Sequence, residues 1–418
     1  MDIRISPSRL SGRISAISSK SDAHRALICA ALSDAPTELS LNGSSVDIET
    51  TIRCLQSLGA AFDVSENSIR VRPIGRAAQA AELNCAESGS TLRFLLPVAA
   101  ALGCAASFTG QGRLPERPVS PLKEELEAHG CQLDRAHLPI ALSGQLQSGV
   151  FTLPGNVSSQ FLTGLLLCFP LLPEGGEIAL STALESAGYV EMTVQTMRRF
   201  GVHVQRTERG FCVPAGQRYR SPGRLAICGD WSSAAFWLCA GALSGEIACG
   251  GLDENSAQGD RAVEPLLARM GAQVCRAGQE VTVRPGALSA IQIDAGNIPD
   301  LIPVLAAVAA AASGKTHITN AARLRIKESD RLRSVTDILR RLGAEIEELP
   351  DGLIIQGKPR LKGGEVFSWG DHRIAMSAAI ASLSCEKDVI IRDAQVVSKS
   401  YPGFWADFEK LGGRITTL

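Results

Sequence analysis

Lys20, Arg25, Arg93 and Arg373 all lie at or near the starts of apolar stretches that read as helices. A helix macrodipole favours negative charge at that end, so these cations oppose it. The same helix ends carry unpaired backbone N–H groups. N–H groups and cations together suit an anion, above all a phosphate or a carboxylate. The stretch Arg323–Val335, RLRIKESDRLRSV, adds Lys327 and Arg331 four positions apart, with Glu328 beside them. That spacing predicts one face of a helix beginning near Ser329. Arg117 stands between prolines in RLPERPVSPL, Arg113–Leu122, which predicts a rigid loop. Lys399 stands in VSKSYPGF, a turn bounded by Pro and Gly ahead of the last helix. Taken singly, each cation could be a solvated, salt-bridged surface residue. Their recurrence at equivalent points of a repeated unit favours a shared anion site.

The repeat shows in how the outer helices end: LGAAFDV, HGCQLDR, FGVHVQR, MGAQVCR, LGAEIEE and LGGRITTL. Gly59, Gly130, Gly201, Gly271, Gly343 and Gly412 recur about every 70 residues, the kind of period that marks a structural repeat. Each predicts a helix C-cap in the left-handed conformation that glycine adopts without strain. Strand, polar turn and strand follow in every copy but the last, which stops after one strand. The chain opens on an unpartnered strand, MDIRISPS, so the two termini are expected to pair and complete the final copy. Each copy also holds a second helix, apolar on nearly every side, starting near Ser19, Glu87, Ser158, Asp230, Pro299 and Asp371. A helix without a polar stripe belongs inside a domain. Its first-turn Ser and Asp residues serve as N-caps, but caps do not require the accompanying Lys and Arg. Parallel inner helices would aim their starts at one end of each domain, and two facing domains would make a cleft rich in anion-binding groups.

A chain of 418 residues, 45% hydrophobic and 20% charged, has room for two or three domains with large cores. A formal net charge of −1 argues against a general nucleic-acid binder. The twelve cysteines include no CxxC pair and mostly sit in apolar runs, as at Cys29, Cys168, Cys239 and Cys385. They read as small buried hydrophobes in a reducing compartment, neither disulfides nor metal ligands. The N-terminus has no basic segment leading into an apolar run, and the longest apolar stretch, Leu301–Ala312, is too short to span a bilayer. The expectation is a cytoplasmic protein without nucleic-acid or membrane partners.

In order along the chain stand SKSDAHR, SGSTLR, GxxRLPERP, SSQF, ESAGY, GDWSSAA, IPD, RIKESDR, GDHR and SKSYPGF. In this order the chain resembles the enolpyruvyl transferases over essentially its full length, and within them the branch whose acceptor is shikimate 3-phosphate. The resemblance implies an inside-out α/β barrel fold: two similar domains, each of three strand-helix-strand-helix-strand-strand repeats around buried inner helices. The first domain is expected at residues 14–226, and the second at 1–13 plus 227–418. The implied reaction moves the enolpyruvyl group of phosphoenolpyruvate to the 5-hydroxyl of shikimate 3-phosphate and releases phosphate. It needs no cofactor and no metal, is carried out by a monomer, and involves domain closure on the substrates.

Carried over position by position, Lys20, Gly89, Arg117, Gln160, Arg331, Arg373 and Lys399 would hold phosphoenolpyruvate. Lys20, Ser21, Arg25, Gln160, Tyr189 and Asp300 would bind shikimate 3-phosphate, with Ser158, Ser159, Ser186 and Lys327 contacting its phosphate. Asp300, Glu328 and Lys20 form the implied catalytic set. In it Asp300 takes the 5-hydroxyl proton and Glu328 protonates the methylene carbon. Glu87 and Arg323 each stand where relatives commonly carry Asn. A sister branch acting on UDP-N-acetylglucosamine usually has Cys in the loop before the RP pair, whereas this loop reads GQGRLPERP, with Gly112 near that position. A non-catalytic phosphate- or nucleic-acid-binding protein on the same fold would have no need of both Asp300 and Glu328.

Overall fold

The computed structural model describes all residues, Met1–Leu418. The chain forms two compact units, Ser18–Ile227 and Met1–Ile17 with Cys228–Leu418. In the first unit the helices are α1 (Lys20–Ala31), α2 (Val46–Ser57), α3 (Gly89–Ala101), α4 (Leu122–Ala128), α5 (Ser159–Cys168) and α6 (Ala187–Arg199). In the second they are α7 (Trp231–Leu243), α8 (Val263–Met270), α9 (Ile302–Ala309), α10 (Arg331–Arg341), α11 (His372–Ala381) and α12 (Phe404–Lys410). The odd-numbered helices are the apolar ones. Every residue of α9 is buried, and α3 leaves only Ser90 partly exposed. The even-numbered helices carry a polar stripe: α10 buries Leu332, Val335, Ile338 and Leu339 while exposing Arg333, Arg340 and Arg341. Such a helix covers a core, whereas one that is apolar all round must be inside it. Each unit accordingly has its own hydrophobic cluster.

Around each inner helix the chain builds one four-stranded sheet, six in all, with the same strand order. In one, Ala80–Asn84 leads through α3 to Ala105–Thr109 in parallel, with Ala80 opposite Ala105. After α4 the hairpin Cys131–Leu133 and Ile140–Gly144 follows, and its second strand inserts between its first and Ala105–Thr109. The glycines at the ends of the outer helices all have positive φ, from +78° at Gly201 to +111° at Gly59. At Gly271 space forbids a side chain as well, because a Cβ would lie 2.4 Å from the carbonyl oxygen of Ala287.

Strand pairing completes the sixth sheet from both ends of the chain. Ile3–Ser6 lies between Val389–Arg392 and Arg414–Thr417, antiparallel to both, with Ile3 opposite Thr417 and Ile5 opposite Val389. The expected division at 13/14 needs correction. It would cut the strand Gly12–Ser15, which runs parallel to Ile247–Gly250 in the second unit's sheet behind α7. The strand Arg224–Ala226, which precedes α7 in sequence, instead pairs with Thr37–Ser40 beside α1. The two edge strands are exchanged, so the chain passes between units at 17/18 and at 227/228. A strand keeps its ladder whole because each unpaired backbone group left in a sheet is costly.

A chain beginning at Pro7 would leave Val389–Arg392 and Arg414–Thr417 without their shared neighbour. Its thermal midpoint, followed by far-UV circular dichroism, is expected to fall by several degrees (about 1 kcal/mol or more at this size). An unchanged midpoint would show that the terminal pairing adds nothing to stability.

Candidate active site

In the second unit three carboxylates converge on one guanidinium. Arg331 opens α10 and is 1% exposed. Its Nε donates to Asp371 Oδ2 at 2.8 Å, Nη1 to Asp300 Oδ1 at 2.6 Å, and Nη2 to Glu328 Oε2 at 2.8 Å. Asp371 is the N-cap of α11 and accepts from Arg373 N at 2.9 Å, while Ser329 Oγ donates to its Oδ2 at 3.1 Å. Asp300 lies just ahead of α9. Arg373 Nη1 donates to the Asp300 carbonyl at 3.2 Å and Nη2 lies 3.5 Å from its Oδ2, with Lys327 Nζ 3.9 Å from Oδ1. A planar guanidinium with five N–H donors suits this fork of acceptors, and an ammonium would not.

These contacts set the acid–base behaviour. Burial pulls the Asp300 carboxyl upward, but Arg373, Lys327 and Arg331 outweigh it and hold the group well below the usual carboxylate range. Asp300 is therefore ionised at neutral pH. Burial pushes Lys327 down to about 8 against the attraction of Asp300, and Arg331 and Arg323 push the same way as burial. Burial also acts to lower Arg331, but Asp371, Glu328 and Asp300 raise it above its ordinary value.

The expected helical face carrying both Lys327 and Arg331 does not form. Asp330 is the N-cap, accepting from Arg333 N at 3.2 Å, so α10 starts at Arg331 and Lys327 precedes it in extended backbone. The two cations meet at Asp300 rather than along a helix. Lys399, also buried, ends a 3-10 turn, Ala394–Lys399, that packs against α11. Arg323 lies in another 3-10 turn, Ala322–Ile326.

In the first unit the cations meet mainly neutral oxygens. Arg25 is 2% exposed, and its guanidinium lies 5.0 Å from the centre of the Phe94 ring. It donates from Nε to Thr193 Oγ1 at 2.8 Å and from Nη1 to the Ser21 carbonyl at 2.6 Å. From Nη2 it donates to the Tyr189 carbonyl at 2.9 Å and Thr163 Oγ1 at 3.3 Å. Burial lowers it to about 10, which leaves it charged at neutral pH. Lys20, the first residue of α1, reaches Asp47 Oδ2 at 2.8 Å.

Gln160 ties α5 to α3: its Oε1 accepts from Arg93 Nη1 at 3.1 Å, and its Nε2 donates to Ser90 Oγ at 3.0 Å. Gln160 N donates to Ser158 Oγ, the N-cap of α5, at 3.3 Å, and Ser159 is buried in the first turn. Two guanidiniums rest on Gly89. A Cβ there would lie 2.6 Å from Arg93 Nη1 and 3.0 Å from Arg117 Nη1, so a side chain would displace one of them. The expected rigid loop at Arg117 includes a 3-10 turn, Leu114–Glu116. Ser186 stands before α6 in left-handed backbone, φ 53°. Gly112 has φ +56° and packs on Glu87, whose Cδ would lie 2.7 Å from a Cβ at that position.

Within each unit the structure thus brings the proposed residues into clusters: Asp300, Lys327, Glu328, Arg331 and Arg373 in the second, and Ser21, Arg25 and Tyr189 in the first. Gly89, Arg117, Gln160 and Ser158 gather around Arg93. The sequence offered Arg93 only as a cation near a helix start and Asp371 only as a helix cap, and it gave no role to Asp260. For Asp371 the signal was its position at a helix start. Asp260, 1% exposed, accepts from Ser232 Oγ, while its Oδ1 has no hydrogen-bond partner. Burial and then Asp300 raise its carboxyl to about 7, against Arg373 and Ser232. Nothing in the sequence marks that residue as buried.

Among solved structures the chain is similar to the EPSP synthase of Acinetobacter baumannii, with a TM-score of 0.83 and 23% identity over 100% of both chains. It is similar also to the enolpyruvyl transferase NikO of Streptomyces tendae, with a TM-score of 0.78 and 17% identity over 99% of this chain and 98% of that one. The architecture is thus that of the enolpyruvyl transferases. Residues 5–408 match the family profile of EPSP synthase (3-phosphoshikimate 1-carboxyvinyltransferase). The 3-phosphoshikimate 1-carboxyvinyltransferase of Clostridium kluyveri is 43% identical, over 99% of this chain and 98% of that protein. That of Clostridioides difficile is 42% identical over the same shares. The chain belongs to the EPSP synthase family.

The Asp260 carboxyl makes a testable contribution to stability. Its folded value of about 7 lies above the ordinary 3.8, so the folded state resists an ionisation that the unfolded chain undergoes freely. Stability is therefore lost as pH rises from near 4 towards 7. Asp260→Asn removes this penalty. The thermal midpoint of the variant relative to wild type should rise between pH 5 and pH 8, and a pH-independent difference would count against a raised carboxyl.

Proposed function

We propose that this chain transfers the enolpyruvyl group of phosphoenolpyruvate to the 5-hydroxyl of shikimate 3-phosphate, releasing phosphate by addition and elimination through a tetrahedral intermediate. The observation that carries the reading is the Arg331 cluster, where one carboxylate is held ionised and a second is held beside it. Asp300 accepts the 5-hydroxyl proton as that oxygen bonds to C2 of phosphoenolpyruvate, and Glu328 protonates C3. Collapse returns a methyl proton to Glu328 and expels phosphate, which leaves with the proton that Asp300 had taken, so both carboxyls regain their starting states. Glu328 shares Arg331 with Asp300, and the incoming phosphate and carboxylate meet the same cation.

Residues are assigned to substrates unit by unit. In the first, Gly89, Arg117 and Gln160 hold phosphoenolpyruvate, and Lys20 contacts both substrates and stabilises the departing phosphate. Ser21, Arg25, Ser158, Ser159, Ser186 and Tyr189 hold shikimate 3-phosphate. In the second, Arg331, Arg373 and Lys399 hold phosphoenolpyruvate, and Lys327 with Asp300 holds the acceptor. Several negative charges arrive with these substrates, and the cations offset their mutual repulsion. Two further readings belong to the proposal. One is that the chain acts as a monomer. The twelve cysteines are free thiols, which supports the reducing cytoplasm.

Adding purified protein to shikimate 3-phosphate and phosphoenolpyruvate should release inorganic phosphate. Turnover of UDP-N-acetylglucosamine in its place would overturn the assignment. Asp300→Ala and Glu328→Ala should each lower kcat by about 10² or more, the usual scale for general acid–base groups. Wild-type turnover in either variant would remove that residue from its role.

Lys327 gives the pH dependence its sign. Loss of its charge through about pH 8 should raise KM for shikimate 3-phosphate as the solution becomes more alkaline. Lys327→Arg should move that rise to higher pH, because a guanidinium stays protonated. An unshifted profile of kcat/KM would mean that Lys327 does not contact the acceptor's phosphate.

A further inference from the structure

Behind the start of α3 a line of buried polar side chains runs from the helix cap into the core, and the reaction as described makes no use of it. His24 on α1, Thr51 on α2 and Thr91 on α3 each have 0% exposure. His24 Nδ1 lies 2.7 Å from Thr51 Oγ1, and Thr51 Oγ1 lies 2.7 Å from Thr91 Oγ1. Thr91 Oγ1 then donates to Ser88 Oγ at 2.8 Å. Ser88, the N-cap of α3, also accepts from Thr91 N at 3.2 Å.

Each hydroxyl carries one proton, so the direction of the last bond settles the others. Thr91 gives its proton to Ser88 and must accept from Thr51. Thr51 gives its proton to Thr91 and must accept from His24. The imidazole therefore carries its proton on Nδ1. Burial keeps the ring neutral, pushing His24 down to about 3, with Asp47 opposing and Lys20 and Arg25 reinforcing the shift. Its Nε2 has no hydrogen-bond partner, a cost that an apolar side chain of similar size would avoid. The ring's presence is explained if its Nδ1 proton matters. At the other end Ser88 Oγ accepts two bonds, which leaves its own proton for a partner outside the line.

We propose that His24, Thr51 and Thr91 are positioning residues that lock Ser88 as an inward acceptor, so that its hydroxyl proton is a fixed donor to the anion held at the start of α3. The anion there is phosphoenolpyruvate if the reaction is as described, and on that reading the inference rests. The adjoining groups are Gly89 and the guanidiniums of Arg93 and Arg117, which already rest against that helix start.

Long-range 1H–15N correlation spectra of the full chain report histidine tautomers, and His24 is expected as Nδ1–H with Nε2 bare from pH 6 to 9. His24→Leu and Thr51→Val should each raise KM for phosphoenolpyruvate by about five- to tenfold, the effect of one misdirected hydrogen bond, with kcat and the KM for shikimate 3-phosphate within about twofold. His24→Asn, whose amide N–H can take the place of Nδ1–H, should restore the wild-type value. If His24→Leu does not fold, Thr51→Val against Thr51→Ser decides in the same way. An Nε2–H tautomer, or a folded His24→Leu enzyme with wild-type KM, overturns the proposal. The tautomer does not depend on the substrate. Nδ1–H without phosphate release from phosphoenolpyruvate would overturn the proposed reaction and uphold the line of hydrogen bonds.

Discussion

A guanidinium withdrawn from water must have its charge and its N–H groups answered, and at Arg331 this requirement organises the second unit. Three carboxylates answer it, one from the cap of α11, one from the segment ahead of α9 and one from the turn ahead of α10. Taking one partner from such a buried cluster costs about 3–5 kcal/mol, because the remaining charges are left uncompensated. The cluster therefore holds three helix starts in register with one another. It also makes acid–base chemistry available: cations that steady the fold are the ones that keep Asp300 ionised.

The first unit solves the same problem differently. Arg25 is satisfied by hydroxyl and carbonyl oxygens and an aromatic face, and Arg93 donates from its two Nη groups to an amide and a carbonyl oxygen. Neutral acceptors take up N–H groups without themselves cancelling the charge. The second unit groups its cations with carboxylates, one of them an ionised proton acceptor, and the first holds Arg25 among neutral oxygens.

The line from His24 to Ser88 shows how far from the helix starts their organisation extends. It crosses α1, α2 and α3 through side chains with no access to water. A hydroxyl at a helix start rotates freely in solvent. When both of its lone pairs are occupied from behind, its proton has a direction. Preorganised donors of this kind lose little on binding, because their orientation is already set before the ligand arrives.

Local features were readable from the amino-acid sequence alone. The glycines that end the outer helices, the helices without a polar stripe, and the unpartnered strand at each terminus follow from backbone sterics and side-chain polarity over a few residues. They were enough for the repeat, the class of fold and the cations at helix starts. Long-range choices were not readable. Gly12–Ser15 and Arg224–Ala226 are both short strands ahead of an inner helix, and nothing in either segment says that they exchange sheets. Lys327 and Arg331 keep their spacing of four whether or not a helix joins them; the cap at Asp330 decides that it does not. Asp260, Asp371 and Thr51 acquire their roles from partners 27 to 42 positions away. Hydrogen bonds and charge pairing between distant residues depend on three-dimensional packing, so the tertiary structure alone could assign them.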